Sequence, residues 1–360
     1  MIGILTFHRA ANYGTVLQAY GLQHTLDELH IENELIDYRC THIEKLYSPV
    51  PDVSIVHLRH FCKAVGKMGE KYRVRKQFDS FLRQYLHTGK KIKRAQLPVA
   101  ATRYEGIVTG SDQVWHLSLT GMDLSYALDF VPDGVKRLSY AASYGPAHLP
   151  EEYQNLLRPC LQRMDWLSVR EFSAIDQTEE LTGRVPLMNV DPSALPEIEV
   201  WNQIADTSKL SRKEFVFVYT MQPSDVLYRV AELLAKEKKL EILSLSMVYN
   251  KKKLGEDMTG IGVNDFLWLI RNATYVVTNS FHGIMFSIRF HKQFFWSYQQ
   301  GSRMSNPRFD MLSRLYHIEK RRCDSAEDCY NCPGMDFVEI EKILREEREL
   351  AKMDILKMVK

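Results

Sequence analysis

Short apolar runs alternate with stretches of helical periodicity through most of the chain. Residues 2–7 are mainly apolar, residues 15–29 carry apolar positions at near-helical spacing, and residues 35–38 form a second apolar run. A short apolar run predicts a buried strand, and the three segments together predict a β-α-β unit with parallel strands. The chain is therefore predicted to begin with a Rossmann-like half.

The same alternation continues along the chain. Further strands are predicted at 106–109, 137–141, 166–169, 185–190, 215–219, 241–245, 275–278 and 293–296. Helices are predicted at 72–86, 150–163, from 171, at 224–238, at 265–271, after 282 and at 337–360. Because strands that alternate with helices form parallel sheets, we expect an α/β protein with mostly parallel sheets.

A stretch rich in proline and charged residues, 191–213, has the composition of an interdomain linker. We therefore expect an N-terminal Rossmann-like domain at 1–195, a C-terminal one at 210–320 and a helical extension at 321–360. The length of 360 residues is enough for two such cores.

Charge and targeting signals narrow the partners and the location. The chain has 47 Lys and Arg against 45 Asp and Glu, a formal charge of +2, which is too balanced to indicate a nucleic-acid partner. No signal peptide or membrane-spanning stretch is recognised, so the cytoplasm is the expected location. The basic stretch 59–76 is interpreted as a solvated helical face, with peripheral contact to an anionic membrane as the alternative.

The cysteines do not indicate a metal centre. Six are scattered through the chain, which is not a secreted disulfide framework. Cys323, Cys329 and Cys332 include one Cys-x-x-Cys pair, but a structural zinc site needs four ligands and the nearest histidine, His317, precedes them. We expect no metal and reduced thiols packed near the C-terminal helix.

One histidine and one arginine lie where strands are predicted to end. His282 falls in the first turn of a helix that Asn279 and Ser280 precede, so it would lie beside a ligand and could donate a proton. A histidine bonded to a neighbouring carbonyl is the alternative. Arg170 would bind a phosphate or carboxylate at the sheet edge, or form a surface salt bridge with Glu171 or Asp165.

Three further loops are candidates for binding. Gly110-Ser111-Asp112 predicts either a ligand contact or a tight turn with a helix cap. The loop at Asn12 to Gly14 loosely resembles a phosphate-binding loop but lacks the GxGxxG pattern, so a nicotinamide or flavin cofactor is disfavoured. The polar loop with Arg303 and Arg308 predicts a second anion clamp or an ordinary solvated connection.

Together these segments resemble the polysaccharide pyruvyl transferase family from residue 1 to about 315. The resemblance is carried by residues 3–5 (GIL), 12–15 (NYGT), 17–19 (LQA), 108–115 (VTGSDQVW), 140–145 (YAASYG), 168–171 (SVRE), 191–192 (DP) and 278–283 (TNSFHG). It implies the two-Rossmann architecture of B-type glycosyltransferases, with a cleft between an acceptor-side N-terminal domain and a donor-side C-terminal domain.

The resemblance also implies an activity in polysaccharide or exopolysaccharide biosynthesis that needs no cofactor. The enolpyruvyl unit of phosphoenolpyruvate would be transferred to two hydroxyls of a free, nucleotide-linked or lipid-linked sugar, giving a cyclic ketal and phosphate. His282 would be the general acid and Arg170 a binder of the donor phosphate or carboxylate. The predicted substrate-binding residues are Asn12, Gly14, Gly110, Ser111, Asp112, Ser143, Asn279, Ser280 and Gly283 in the matched segments, together with Arg303 and Arg308 in the polar loop.

One position departs from the family pattern. Many members have an arginine two residues before the matched histidine, where this chain has Ser280. We expect Arg303 or Arg308 to supply the missing charge. A B-type glycosyltransferase that uses a nucleotide sugar and a non-catalytic carbohydrate-binding relative are the alternative functions.

Overall fold

The computed structural model describes residues 1–48, 68–248, 254–299, 306–330 and 332–360. Its contacts group the chain into two units. The first unit contains Met1–Leu195 and Glu347–Lys360, and the second contains Pro196–Glu346. Part of the basic stretch predicted as a helical face, residues 59–67, lies outside the described residues.

The first unit has a parallel sheet that is built from its apolar runs. Its strands are β1 (Ile2–Leu5), β2 (Asn33–Leu35), β3 (Gly106–Thr109), β4 (Lys136–Ser139), β5 (Ser168–Val169) and β6 (Leu187–Met188). The order is β2-β1-β3-β4, and β5 pairs with β6. Parallel bridges at Leu138–Trp166 and Ala142–Val169 connect β4 to the chain around β5. The strand order therefore changes direction between β1 and β3, and we call that place the first switch point.

Helices surround this sheet. They are α1 (Tyr13–Glu28), α2 (Thr41–Leu46), α3 (Met68–Tyr85), α4 (Leu97–Ala101), α5 (Leu117–Thr120), α6 (Glu151–Leu161) and α7 (Phe172–Thr182). The Asn12 side chain caps α1 by accepting bonds from the backbone nitrogens of Gly14 and Thr15, at 3.1 and 3.4 Å. Val16 and Leu17 of that helix are fully buried. The start of α1 is thereby held at the carboxyl end of β1.

The second unit has a five-stranded parallel sheet. Its strands are β7 (Phe215–Thr220), β8 (Glu241–Ser246), β9 (Glu256–Asp257), β10 (Tyr275–Thr278) and β11 (Gln293–Trp296). The order β11-β10-β7-β8-β9 corresponds to the doubly wound order of Rossmann folds, with its change of direction between β7 and β10. We call this place the second switch point. All six residues of β7 are buried, as expected for the centre of a parallel sheet.

The described helices of the second unit are α8 (Ile198–Ala205), α9 (Asp225–Lys238), α10 (Val263–Asn272), α11 (Phe281–Arg289), α12 (Pro307–Tyr316) and the first part of α13 (Val338–Val359). Two of them, α8 and α12, were not predicted from the sequence. The α8 helix forms inside the segment predicted as a linker, because Trp201 is fully buried there and packs edge-on against Phe286 at 5.1 Å. The α12 helix starts within the polar loop that was predicted around Arg308.

The predicted fold class is confirmed: the protein is α/β, with two Rossmann-like units whose sheets are parallel. The last helix divides between the units, since residues to Glu346 belong to the second and Glu347–Lys360 to the first. No helix among the described residues is long and apolar enough to cross a membrane.

Candidate functional site

Three of the predicted binding loops follow strands that flank the two switch points. They are the segments after β1 and β3 in the first unit and the segment after β10 in the second, whereas the predicted loops at Arg170 and Arg308 follow β5 and β11. In open α/β sheets, ligands bind at the carboxyl ends of strands where the order changes direction. The two switch points are therefore the candidate sites.

Gly110 and Ser111 form a rigid turn after β3. Gly110 has a φ of +111°, and a β-carbon there would lie 2.2 Å from the carbonyl oxygen of Tyr140, so the turn requires glycine. The Ser111 hydroxyl donates to the carbonyl of Ala141 at 2.7 Å, and its carbonyl accepts from the Thr6 hydroxyl at 3.0 Å. Ser111 is fully buried. Its hydrogen bonds connect the segments that follow β1, β3 and β4.

Asp112 is held at the start of α1. Its Oδ2 accepts from the Thr15 hydroxyl at 2.9 Å, and its Oδ1 accepts from the backbone nitrogen of Gln113 at 2.9 Å. Nη2 of Arg170 lies 3.6 Å from Oδ1. The Asp112 side chain keeps 12% of its surface exposed, whereas that of Arg170 has none. Asp112 is thus a fixed carboxylate with an accessible edge.

Arg170 lies among three carboxylates. Its Nη1 donates to Asp191 at 2.5 Å, and its Nε lies 3.6 Å from Oε2 of Glu171. Burial lowers the pKa of the Arg170 guanidinium, but the charges of Asp191, Asp112 and Glu171 outweigh burial and raise that pKa. The arginine is therefore charged and stabilises buried carboxylates.

This geometry corrects the sequence interpretation of Arg170. The alternative of a surface salt bridge is wrong because the side chain is fully buried, although Glu171 is one of its neighbours. Asp165 instead accepts a bond from the backbone nitrogen of Arg137. Binding a donor phosphate would require an accessible guanidinium, and Arg170 has no exposed surface in this structure.

Three other predicted residues of the first unit support this network. The Ser143 hydroxyl donates to Oε1 of Glu171 at 2.6 Å and accepts from the backbone nitrogen of Gly145 at 3.1 Å. Asn12 caps α1, and Gly14 is buried in the first turn of that helix. Their contacts position the loops around Asp112.

In the second unit, Asn279 fastens the two loops of the switch point together. Its side-chain oxygen accepts from the backbone nitrogen of Met221 at 2.8 Å, and its side-chain nitrogen donates to the carbonyl of Gln222 at 2.9 Å. Gln299 donates to the Asn279 carbonyl at 2.7 Å. Asn279 is only 1% exposed, so its side chain holds the two loops together and does not face a ligand directly.

His282 lies in the first turn of α11, as the sequence predicts. The Ser280 hydroxyl caps the helix by accepting from the backbone nitrogen of Gly283 at 3.3 Å. A β-carbon at Gly283 would lie 2.4 Å from the Thr278 hydroxyl, so this turn packs closely on β10. His282 is 7% exposed, and its ring lies edge-on to Phe281 with centroids 5.1 Å apart. The imidazole is thereby fixed at the end of β10.

Arg308 lies near the same helix start. Pro307 occupies the first turn of α12, where its fixed φ suits a helix, so Arg308 is helical and not in the predicted loop. The Arg308 guanidinium carbon is 5.9 Å from the Phe281 ring centroid. Of the two arginines predicted to supply the missing charge, Arg308 is therefore placed next to the first residue of α11. Arg303 lies outside the described residues.

The sequence model of the family described as polysaccharide pyruvyl transferase matches residues 12–299. The chain belongs to the polysaccharide pyruvyl transferase family. The matched segment contains both switch points of this family member, including Asp112, Arg170 and His282. The resemblance seen in the sequence motifs is therefore confirmed.

Several solved structures are similar to this family member at low sequence identity. A UDP-N-acetylglucosamine 2-epimerase of Rickettsia bellii is 10% identical, with a TM-score of 0.48 over 99% of this chain and 95% of that chain. UGT89C1 of Arabidopsis thaliana, complexed with UDP-L-rhamnose, is 10% identical, with a TM-score of 0.49 over 99% and 98%. The ADP-heptose heptosyltransferase II of E. coli is 10% identical, with a TM-score of 0.38 over 96% and 99%. No curated protein sequence matches the chain.

The sequence interpretation missed a charged cluster beside the first switch point. Arg9 donates to both oxygens of Asp37, at 2.8 and 2.6 Å, and Nε of Arg39 lies 2.9 Å from Oδ1. Nε2 of His8 is 3.6 Å from Asp37. Burial raises the pKa of Asp37, but bonds and charges from His8 and Arg9 outweigh it and hold the pKa well below its usual value. The available signal was an aspartate at the end of the second apolar run.

Among the described residues, no three histidine, cysteine, aspartate or glutamate side chains are placed together to hold a metal ion. Cys323 and Cys329 are buried in a hydrophobic cluster of the second unit, and Cys332 packs against it. Burial raises the pKa of the Cys323 thiol to about 12. That thiol is therefore protonated at neutral pH.

Proposed function

We propose that this protein transfers the pyruvyl group of phosphoenolpyruvate to two hydroxyls of a sugar, with formation of a cyclic ketal and release of phosphate. The protein belongs to a family of transferases that act on polysaccharides. The observation that most supports the finer assignment is the position of His282 in the first turn of a capped helix at a switch point. An anionic donor and a proton donor would meet there.

The donor would bind at the start of α11. The first backbone N–H groups of a helix and its dipole attract anions, and phosphoenolpyruvate carries a phosphate and a carboxylate. Arg308 adds positive charge next to Phe281. Ser280 caps α11 by accepting a hydrogen bond from the backbone nitrogen of Gly283. In this proposal, Arg308 of α12 takes the place of the arginine that many family members have at this position.

The reaction begins with proton transfer. His282 protonates the methylene carbon of phosphoenolpyruvate, the double bond supplies the electron pair for the new C–H bond, and C2 becomes electrophilic. A sugar hydroxyl adds to C2 and loses its proton. The C2–O bond to phosphate breaks with its electron pair leaving on the phosphate, which takes up the proton of the first hydroxyl. The second hydroxyl adds to C2 and closes the ketal, and its proton returns to His282. The products are the pyruvylated sugar and phosphate.

We assign the acceptor hydroxyl to the first unit, at Asp112. Its carboxylate is oriented by Thr15 and Gln113 and keeps an exposed edge. A carboxylate in this position can accept the hydroxyl proton as the oxygen attacks. Arg170 is a positioning residue in this proposal, because it contacts Asp112 from the buried side.

The proposed activity is tested by phosphate release from phosphoenolpyruvate, with a panel of nucleotide-linked and lipid-linked sugars as acceptors. We expect acceptor-dependent release by the wild type and loss of release in His282→Ala. His148→Ala, which changes an exposed histidine of the first unit, is the matched control and should retain activity. Equal release by the wild type and His282→Ala would contradict the role of the histidine, and turnover of nucleotide sugars without phosphoenolpyruvate would favour glycosyl transfer.

The donor arginine has a separate test. We expect Arg308→Ala to raise KM for phosphoenolpyruvate about tenfold or more, because a bond from a charged group contributes about 1.5–3 kcal/mol. The acceptor KM should remain within twofold, and Arg314→Ala on the same helix should change neither constant. Arg303→Ala is measured in parallel. Unchanged donor affinity in both arginine variants would exclude this source of charge.

The role of Arg170 is tested by comparing the KM values for the two substrates, because a general loss of folding would not change one KM alone. Arg170→Lys keeps the charge but loses the planar fork that faces several carboxylates. We expect a higher KM for the acceptor with an unchanged KM for phosphoenolpyruvate. Equal changes in both constants would contradict a role exerted through Asp112.

A further inference from the structure

An open cavity of about 520 Å³ lies in the first unit, on the side of β2 and β3 where Asp37 and Gly110 follow these strands. Its walls come from the segment after β2, the α2 helix, the start of a short turn at Arg94 and the segment after α5. The lining includes Thr41, His42, Lys45, Arg94, Asp123 and Asp129. Its size lies in the range of ligand pockets, roughly 300–1,000 Å³.

Hydrogen bonds fix the polar wall of this cavity. The Tyr38 hydroxyl donates to Oδ2 of Asp123. Oδ1 of Asp123 accepts from the backbone nitrogen and the hydroxyl of Ser125, at 2.9 and 2.6 Å. Arg94 pairs with Asp129, and its Nε lies 3.8 Å from Asp123. The two carboxylates and the guanidinium are therefore held by the protein before any ligand arrives.

The charges of the lining balance. Lys45 and Arg94 are positive, and Asp123 and Asp129 are negative, with His42 taken as neutral. Arg94 already lies beside both carboxylates. A phosphate or carboxylate ligand would need an excess of positive charge, and this lining has none. A neutral ligand with many hydroxyls suits it, because carboxylates accept hydrogen bonds from hydroxyls while arginine, lysine and threonine donate to them.

The α2 helix connects the cavity to the first switch point. Thr41, His42 and Lys45 of this helix line the cavity. Tyr47, immediately after the helix, has a side-chain hydrogen bond with Asn12. Burial and the charge of Asp112 raise the pKa of Tyr47 to about 12. The residue that directly follows the cavity-lining helix is therefore partly buried near Asp112 and Asn12.

We propose that this cavity binds an uncharged sugar residue of the acceptor, next to the sugar whose hydroxyls receive the pyruvyl group. The proposal rests on the proposed function, since it takes Asp112 as the place of the reacting sugar. It deepens that function by making the acceptor at least a disaccharide with a neutral unit. The cavity would then select among acceptors by the pattern of hydroxyls on that unit.

Binding is measured by saturation-transfer NMR and by titration of the full chain, without phosphoenolpyruvate. The probes are neutral disaccharides of glucose, galactose, mannose and N-acetylglucosamine, with inorganic phosphate as the charged comparison. Thr41→Trp places an indole at an exposed position of the lining, and Leu46→Trp places the same indole on the same helix outside the lining. His42→Ala is a smaller change in the lining.

We expect at least one disaccharide to bind the wild type, at least tenfold weaker binding in Thr41→Trp, about threefold weaker binding in His42→Ala and unchanged binding in Leu46→Trp. Thermal unfolding should show the same midpoint for all variants. Absence of binding by every disaccharide, equal disaccharide binding by wild type and Thr41→Trp, or binding of phosphate that Thr41→Trp weakens while disaccharide binding is unchanged would overturn the proposal.

Turnover separates this proposal from the proposed function. If acceptor-dependent phosphate release occurs with the same acceptor KM in wild type and Thr41→Trp, the cavity assignment fails and pyruvyl transfer stands. If disaccharide binding is lost in Thr41→Trp but no acceptor supports phosphate release, the cavity assignment stands and pyruvyl transfer fails.

Discussion

The two switch points occupy equivalent places in their sheets, but different groups hold them in shape. At the first, a buried arginine is surrounded by Asp112, Asp191 and Glu171. At the second, the amide of Asn279 and the hydroxyls of Thr278 and Ser280 bond to backbone groups. One site is organised by ionic contacts and the other by neutral hydrogen bonds.

This difference fits the ligands proposed for the two sites. The sugar unit of an acceptor brings hydroxyl groups, which a carboxylate can bind, and Arg170 contacts the Asp112 carboxylate from its buried side. Phosphoenolpyruvate brings several negative charges, so a site for it needs free backbone N–H groups and no carboxylate. The comparison therefore predicts a different response to mutation in each unit.

The largest effect is expected from Arg170→Met. Removing the cation takes away the ionic partner of the buried Asp191 and Glu171 side chains, which destabilises a protein by roughly 3–5 kcal/mol. The free energy of unfolding in urea measures it. Arg163→Met, which removes a half-exposed arginine, is the control and should cost no more than about 1 kcal/mol. A similar loss of unfolding free energy in both variants would show that the buried ionic contacts of Arg170 contribute no more to stability than an exposed ion pair.

The elements of both sheets were largely predictable from sequence, but the ionic cluster was not. Runs such as residues 2–5 and 275–278 are buried strands because parallel sheets bury both faces of a strand. The cap at Ser280 followed from its place before a helix. Arg170 and Asp112, by contrast, meet only because β4 lies beside β3 and the chain around β5 lies beside β4. Sequence spacing carries no information on that order.

The missed helices have a different cause. Trp201 and Ile204 are the only strongly apolar buried positions in the short α8 helix. Two such positions among charged residues and prolines are too few to give a helical pattern in the sequence. The α12 helix follows a polar loop, and Pro307 was taken as a loop residue although proline is favourable in the first turn of a helix. In both segments, tertiary burial decides what local composition leaves open.

A smaller effect is expected from Asn279→Ala in the second unit. The change leaves the backbone nitrogen of Met221 and the carbonyl of Gln222 without their side-chain partner, which costs roughly 1–3 kcal/mol. Because the hydrogen bonds of the Asn279 amide are made to neutral backbone groups, the loss should be the same at pH 5 and pH 8. Urea unfolding at both values measures it. A loss that depends on pH would show that charge also organises the second switch point.

Acid should weaken the first region through Asp37. The pKa of Asp37 is lowered in the folded state, so its ionic bonds stabilise the protein fully above the unfolded pKa of about 4, and this stabilisation decreases progressively as the pH falls from there toward the lower folded pKa. We expect Asp37→Asn to be less stable than wild type by about 1.5–3 kcal/mol at pH 7, where bonds from Arg9 are charged. Unfolding measured from pH 7 to pH 3 should show the difference shrinking. A constant difference would contradict the ionic role.

The smallest effect is expected at Ser280, and it bears most directly on the comparison. Ser280→Ala removes the cap on Gly283 and should lower the unfolding free energy by about 1 kcal/mol, whereas Ser280→Gly should cost only a few tenths. Ser280→Arg also loses the cap but adds the charge that other family members carry. If Arg308 already provides the donor charge, Ser280→Arg should leave KM for phosphoenolpyruvate within about threefold of wild type. A large gain in donor affinity would mean that the neutral second site lacks a charge that its substrate needs, and that the serine was retained for the helix start alone.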